Sequence, residues 1–569
     1  MTATTPQASA PFETPIAAEA FLQALSAHGV DYVFANPGTD FPPIVEAYGR
    51  ARRSNIKVPI PLVIPHENLT VAMAHGAYAM TGRPQAVMLH VNVGTANAIN
   101  NVINMSRDNV PLILAAGRTP VAEQGTFGSR NRPIHWGQEM FDQAAMLREA
   151  VKWDYELRTP DQAVDVVARA HEVAMTSPRG PVYLSLPREA LSAPVTFDEI
   201  KPPRSVPSRP HPDPERIATL ARWIAEAEHP LIIATASGAE AIGPLGRMAE
   251  RHAIPVVTYR QLVVCLPSGH PMHMGYDPQE LLPKSDLVIV VEADVPFMPN
   301  LHHPKPGARF ATIGEQPAYT RYPMRSFPSD LAITATAASA LESLDAALAE
   351  TSIAGDRIAR RRAQLAEYRA ARLERLVKAA APGEHITLPY LSRVIGETAG
   401  DDAVIFNEYS LMQDHCRRDK ADTYYGLGSA GGLGWGFGAA LGAKLATPEK
   451  FVIATLGDGA YLFANPMVAH WVADVHRIPI LTVIINNSRY GAVRSATMSM
   501  FKDGIAGLDG GRFMADLDPS PDFDKALQAQ GGHAERVERP ADLPGAIARA
   551  RDMVMTEKRQ ALLNVICPY

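Results

Sequence analysis

The sequence is short of cysteine, of long apolar runs and of excess charge of either sign, and each shortage closes off a class of protein. Three cysteines in 569 residues, Cys265, Cys416 and Cys567, are too few and too scattered for a disulfide framework or a thiolate metal site. A reduced, cytoplasmic protein is the expectation. The longest apolar stretches, such as 451–456 and 479–485, have strand length, whereas a spanning helix needs roughly 20 apolar residues. No membrane partner is therefore expected. A formal net charge of −6 leaves no electrostatic footprint for nucleic acid. The first residues lack the basic and apolar regions of a secretory signal. Low-complexity tracts are absent, and in the 216–350 block no G-x-G-x-x-G follows an apolar run, which counts against a nucleotide-dependent dehydrogenase.

What is present is length and alternation. At 569 residues the chain exceeds a single core, and domains of roughly 100–200 residues make three the expectation. Seven prolines (Pro194, Pro202, Pro203, Pro207, Pro210, Pro212, Pro214) make 192–215 a linker. Residues 351–384 carry Arg, Ala, Glu and Leu at helical spacing and end at Pro382-Gly383, which predicts an exposed connecting helix. The remaining blocks, 12–191, 216–350 and 385–569, alternate short apolar runs with amphipathic segments. Strands are predicted at 32–34, 62–64, 85–90 and 112–115, then 231–234, 255–258 and 287–291, then 403–406, 451–456, 480–485 and 562–566. Runs buried on both faces and separated by helices predict an α/β fold, three consecutive domains with parallel sheets covered by helices.

In the last block the run FVIATL leads into Gly457-Asp458-Gly459, and ILTVII ends in Asn486-Asn487. Glycines at a strand end let the backbone approach an anion, and Asp and Asn oxygens are hard ligands suited to Mg²⁺ beside a diphosphate. GDG alone is an ordinary strand-to-helix turn. Paired with NN at the end of the next apolar strand, it resembles the fingerprint of the thiamine-diphosphate-dependent enzymes (the acetohydroxyacid synthase, pyruvate oxidase and benzoylformate decarboxylase group). The resemblance implies Asp458, Asn487 and the Arg489 carbonyl as Mg²⁺ ligands, with Gly459 and Ala460 amides on phosphate and Ser410 also at the cofactor. The Asp458–Asn487 separation is longer than the family's usual one, and Asn465-Pro466 predicts a turn that absorbs the difference.

Two more segments fit the same family. Ile64-Pro65-His66-Glu67 closes a predicted strand ahead of a helix. A lone glutamate there is ordinarily a helix-start residue, but Glu67 stands where the family places the carboxyl that faces the aminopyrimidine. In Ser429-Ala430-Gly431-Gly432-Leu433-Gly434, the resemblance makes Leu433 the residue that bends the cofactor and gives the Gly431 carbonyl to its amino group. It also implies a pyrimidine-binding first domain, a Rossmann-like middle domain and a diphosphate-binding last domain. A homodimer or homotetramer with active sites at subunit interfaces follows.

Within the group, Asn36-Pro37-Gly38-Thr39, Leu89-His90-Val91-Asn92-Val93-Gly94-Thr95, Gly431-Gly432-Leu433-Gly434 and Gly491-Ala492-Val493-Arg494 resemble segments of the benzoylformate decarboxylases. That similarity makes His90 catalytic, with Thr39 in place of the family's serine and Asn92 where those enzymes have alanine. It offers His302, or its neighbour His303, as a second histidine. The expected activity is non-oxidative decarboxylation of a 2-oxo acid through an enamine, with carboligation to an aldehyde as a further outcome. Alternatives are an acetolactate-synthase-like carboligase, a 2-hydroxyacyl-CoA lyase or a non-catalytic homologue. Thiamine diphosphate and Mg²⁺ are the expected cofactors, and FAD is not expected.

Overall fold

The computed structural model describes residues 14–197, 200, 205–351, 353–409, 411–508 and 510–568. Ser410 and the first residues of the 12–191 block lie outside the described set. The chain divides into two compact units, one up to Pro207 and one from Ser208 onward.

The first unit is built on six strands: β1 (Tyr32–Asn36), β2 (Ile60–Val63), β3 (Gln85–Leu89), β4 (Leu112–Arg118), β5 (Asp154–Glu156) and β6 (Pro181–Pro187). The spatial order is β2-β1-β3-β4-β6-β5, every pairing parallel. The second unit carries two more sheets. One has β7 (Pro230–Ala234), β8 (Val256–Val257), β9 (Leu287–Val291), β10 (Arg309–Gly314) and β11 (Leu331–Thr334), ordered β11-β10-β9-β7-β8. The other has β12 (Val404–Glu408), β13 (Tyr424–Gly426), β14 (Val452–Gly457), β15 (Leu481–Asn486), β16 (His533–Val537) and β17 (Ala561–Ile566), ordered β13-β12-β14-β15-β17-β16. Both are parallel throughout. The expected fold class is the observed one.

Burial explains why these segments are strands. Every residue of β3, β6, β12 and β15 is buried, as parallel strands covered by helices on both faces must be. The six strands absent from the sequence reading fall into two groups. β5, β11, β13 and β16 are short or half-exposed edge strands without an apolar run. β6 and β10 are interior, but prolines bracket the first and polar residues interrupt the second. The connecting helix spans Gly355–Ala379, with Arg361 and Leu365 its buried residues. Arg361 donates to the Ile224, His252 and Ala227 carbonyls at the ends of two helices, so an arginine fastens this helix to the middle sheet.

In the first and third sheets the chain turns back between the first and third strands, and in open α/β sheets ligands bind beyond the carboxyl ends of the strands at such a switch point. Asn36 and His90 lie there in one sheet, Glu408 and Asp458 in the other. Among the described residues no helix is long and apolar enough to cross a membrane. All three cysteines are free and buried.

Candidate active site

In the first unit, β1 ends in Asn36 and the turn that follows carries Thr39 and Asp40. Two glycines make room for this turn. A Cβ on Gly38 would lie 2.1 Å from His90 Nδ1, and one on Gly117 would lie 1.6 Å from Asp40 Oδ2. With that space left open, His90 Nδ1–H donates to Asp40 Oδ1 at 2.6 Å, and the buried Asp40 accepts the Val91 amide at 3.3 Å through Oδ2. Val91 is held at φ +33°, an unfavourable backbone for a β-branched residue. The carboxylate therefore fixes both the histidine ring and a strained turn. On the other side of the ring, the Gln138 amide nitrogen lies 3.4 Å from Nε2.

Glu67 opens the helix Glu67–Thr81. Its carboxylate accepts from Asn36 Nδ2 at 2.8 Å and from Asn97 Nδ2. Two neutral amides orient it.

Thr39 Oγ1 lies 3.5 Å from His135 Nε2. His135 Nδ1 accepts the Asn131 amide at 3.2 Å, so the ring proton sits on Nε2 and points at the threonine hydroxyl. Burial and then the Arg188, Arg132 and Arg130 guanidiniums push the His135 pKa below its ordinary value, favouring this neutral tautomer. Arg188, buried at the end of β6, donates to the carbonyls of Thr39 (3.2 Å), Gly128 and Ser129 (2.6 Å). It holds Thr39 and the loop bearing His135 from one point. Asp40, Asn97, His135, Gln138 and Arg188 escaped the sequence reading. Asp40 could have been found beside Thr39, whereas the others had no sequence signal.

In the second unit, the Asp458 carboxylate at the end of β14 accepts the Gly459 amide (2.8 Å) on Oδ1 and those of Asn487 and Arg489 (both 3.2 Å) on Oδ2. Asn487 Oδ1 accepts the Arg489 amide at 3.0 Å. Asp458 and Asn487 thus come together at adjacent strand ends. Burial pushes the Asp458 pKa up against the pull of these amides. No cationic side chain pairs with Asp458 among the described residues, and a bound cation would supply the missing charge. One carboxylate with an amide oxygen and a carbonyl suits Mg²⁺, which keeps water and phosphate in its shell. The residues present therefore fit a Mg²⁺–diphosphate group. A Cβ on Gly459 would lie 2.4 Å from the Tyr490 ring, so a side chain there would displace that ring. Asn465 adopts φ +54° between the helices Asp458–Phe463 and Pro466–Val475, the turn expected for the longer spacing.

The glycine loop precedes the helix Trp435–Ala446. Gly431 and Gly434 take φ +66° and +79°, positions suited to glycine. The fully buried Glu408, at the end of β12, accepts the Gly434 amide at 2.6 Å and the Gly436 amide, which caps this helix. Burial pushes its carboxyl up to about 8. Leu433 is half-buried.

His302 is buried in the middle block. Its Nδ1 accepts the Met298 amide at 2.9 Å and its Nε2 faces Asp277 Oδ1 at 3.2 Å, while the ring packs edge-on against Tyr259. Both nitrogens have partners inside the middle block. His303 is exposed.

Of three doubly wound parallel sheets, one bears a glutamate and a histidine at its strand ends and another an Asp–Asn pair, the layout of an enzyme that works with a bound cofactor. Sequence comparison agrees. Models described as thiamine pyrophosphate enzyme N-terminal TPP binding domain, central domain and C-terminal TPP binding domain match residues 16–146, 217–344 and 408–565 in turn. The chain belongs to the thiamine pyrophosphate enzyme family. It is 26% identical over 552 residues to benzoylformate decarboxylase of Pseudomonas aeruginosa, covering 93% of this chain and 95% of that one. To acetolactate synthase of Mycobacterium bovis it is 25% identical over 558 residues, covering 94% and 85%. The thiamine diphosphate-dependent 4-hydroxybenzoylformate decarboxylase of Rhodococcus jostii shares the fold, with a TM-score of 0.78 at 22% identity over 98% of this chain and 99% of that one.

Proposed function

We propose that this protein catalyses the non-oxidative decarboxylation of a 2-oxo acid to an aldehyde, with carboligation to an aldehyde as a second outcome. The observation that carries the reading is the His90–Asp40 pair. A ring whose Nδ1 is secured by a buried carboxylate has Nε2, met only by the long 3.4 Å Gln138 contact, to exchange a proton, and releasing an aldehyde requires a proton at the carbon that has lost CO₂.

When bound, thiamine diphosphate supplies an electron sink for the pair left as CO₂ departs. Asp458, Asn487 and the Arg489 carbonyl would hold Mg²⁺, and the Gly459 and Ala460 amides would hold diphosphate oxygens. The Gly431 carbonyl and Leu433 are assigned to the aminopyrimidine and to the bend of the cofactor, and Ser410 to the cofactor from its sequence position. Glu67, oriented by Asn36 and Asn97, keeps a proton at the pyrimidine nitrogen. His135 donates its Nε2 proton to Thr39 Oγ1, which turns the threonine hydroxyl proton outward to a substrate carboxylate. His90 delivers the proton that releases the product. No role is proposed for His302.

Similarity to an acetolactate synthase supports a second reading, in which carboligation outruns protonation. Both readings include a homodimer or homotetramer. Phe463, Met467, Trp471 and Val475, spaced every four residues, are 42–53% exposed, an apolar stripe that a second copy would cover.

The test is CO₂ release by the purified protein with thiamine diphosphate and Mg²⁺ across aliphatic and aromatic 2-oxo acids, with products identified. Aldehyde from one acid supports the decarboxylase, and hydroxy ketone as the main product supports the ligase. No CO₂ from any acid despite bound cofactor would refute both.

A further inference from the structure

The glycine loop of the diphosphate-binding sheet is tied to the middle sheet by a small polar cluster. Asp294 lies in the loop after β9. Its Oδ2 accepts the hydroxyls of Tyr322 (2.6 Å) and Ser429, and Tyr322 OH and Ser429 Oγ are themselves 2.9 Å apart. Oδ1 accepts the Val295 amide at 2.7 Å. The carboxylate therefore accepts three donors, of which Ser429 lies 135 residues away in sequence.

The loop bearing Asp294 is itself anchored. Arg325 Nε donates to the Asp294 carbonyl at 2.8 Å and its NH2 to the Ala293 carbonyl at 3.2 Å, with the guanidinium 4.4 Å from the Tyr319 ring centroid. Ser429, by contrast, is exposed and belongs to the segment that continues into Gly431 and Leu433. Gly431 and Gly434 adopt left-handed backbone there. Glycine restricts its own backbone least, so contacts at the ends of the loop help to set its position. At its far end the Gly434 amide is fixed by Glu408. At its near end the Leu427 amide donates to the Asn407 carbonyl at 3.1 Å, and Asp294 holds the Ser429 side chain.

We infer that Asp294, with Tyr322, is a positioning residue for the cofactor: it holds Ser429 and so sets the loop whose carbonyl and leucine meet the aminopyrimidine. The inference rests on membership of the thiamine pyrophosphate family and on the cofactor role assigned to Gly431 and Leu433. It does not depend on which substrate is turned over. Preorganising a glycine-rich loop raises affinity by removing an ordering cost that binding would otherwise bear.

The test uses the full-length protein freed of cofactor by chelation and dialysis, with thiamine diphosphate titrated at saturating Mg²⁺ and followed by tryptophan fluorescence. Ser429→Ala, Tyr322→Phe and Asp294→Ala are each expected to raise the apparent Kd, by about tenfold for the loss of a hydrogen bond to a charged group. The combination of Ser429→Ala with Asp294→Ala should be no weaker than the worse single variant, because both break one link. The melting temperature of the cofactor-free protein should stay within about 2 °C of wild type for Ser429→Ala, since an exposed hydroxyl contributes little to the core. An unchanged Kd in Ser429→Ala overturns the inference, even if Asp294→Ala fails to fold. A weakened Ser429→Ala beside an unaffected Asp294→Ala also overturns it, because the serine would then act on the cofactor directly. Because binding is read without substrate, failure of the decarboxylase reading leaves this result untouched.

Discussion

The first and third sheets share one wiring, β2-β1-β3-β4-β6-β5 against β13-β12-β14-β15-β17-β16, yet their strand ends carry different chemistry. At the end of the third strand of each stand His90 and Asp458. At the end of the first strand stand Asn36, leading to Thr39 and Asp40, and Glu408. On the proposed reading, one sheet presents groups that exchange protons, and the other presents hard oxygens and backbone amides that would hold a charged ligand. Topology supplies a place for chemistry at the switch point, and side chains decide which chemistry it is.

The sharpest way to break this division is Glu67→Gln. Loss of the proton-holding carboxyl should lower kcat by about 1,000-fold, with cofactor binding largely retained, as checked by steady-state CO₂ release. His90→Ala should lower kcat by about 100-fold, and Asp40→Ala should add little to it, because both disrupt one pair. A double-variant series measures that non-additivity. In the other sheet, Asp458→Asn should raise the Mg²⁺ concentration for half-maximal activity by about tenfold or more, since it removes the one charged ligand. The raised Asp458 pKa adds a pH dependence: metal binding needs the ionised form, so Mg²⁺ affinity should fall as pH drops through that elevated value.

The smallest expected effect concerns Glu408, whose carboxyl is pushed up to about 8 by burial. A carboxyl with a raised folded-state pKa binds its proton more tightly in the native protein than in the unfolded chain. Its contribution is therefore greatest below the unfolded value and is lost as pH rises toward 8. The slope is at most about 1.4 kcal/mol per pH unit. Denaturant unfolding of wild type and Glu408→Gln between these pH values should show that slope in wild type alone.

How far the sequence was legible differs between the same two regions. The diphosphate end is written in contiguous motifs, because glycines, Asp458 and Asn487 sit directly on strand ends and need only local backbone. The fold class was equally legible, since strands such as β7 and β9 are unbroken apolar runs. The proton-handling end is assembled from distant segments. Arg188 reaches Thr39 across 149 residues and His135 reaches it across 96, and no local pattern records such a pairing. The partners of His302, the Met298 amide and Asp277, likewise carry no signature in the sequence. Edge strands such as β13 and β16 were missed for a related reason, since their burial comes from one neighbour and leaves little apolar signature.

The central claim is that the two like-wired sheets divide the work, one moving protons and the other holding the cofactor. The most direct measurement is a joint titration of thiamine diphosphate and Mg²⁺ against turnover for wild type, Glu67→Gln and Asp458→Asn. The account predicts that Glu67→Gln loses maximal rate while its half-saturating cofactor concentration stays within about threefold of wild type. Asp458→Asn should lose affinity and recover much of its rate at high Mg²⁺. The reverse pattern, with Glu67→Gln rescued by excess cofactor and Asp458→Asn unaffected in affinity, would contradict it.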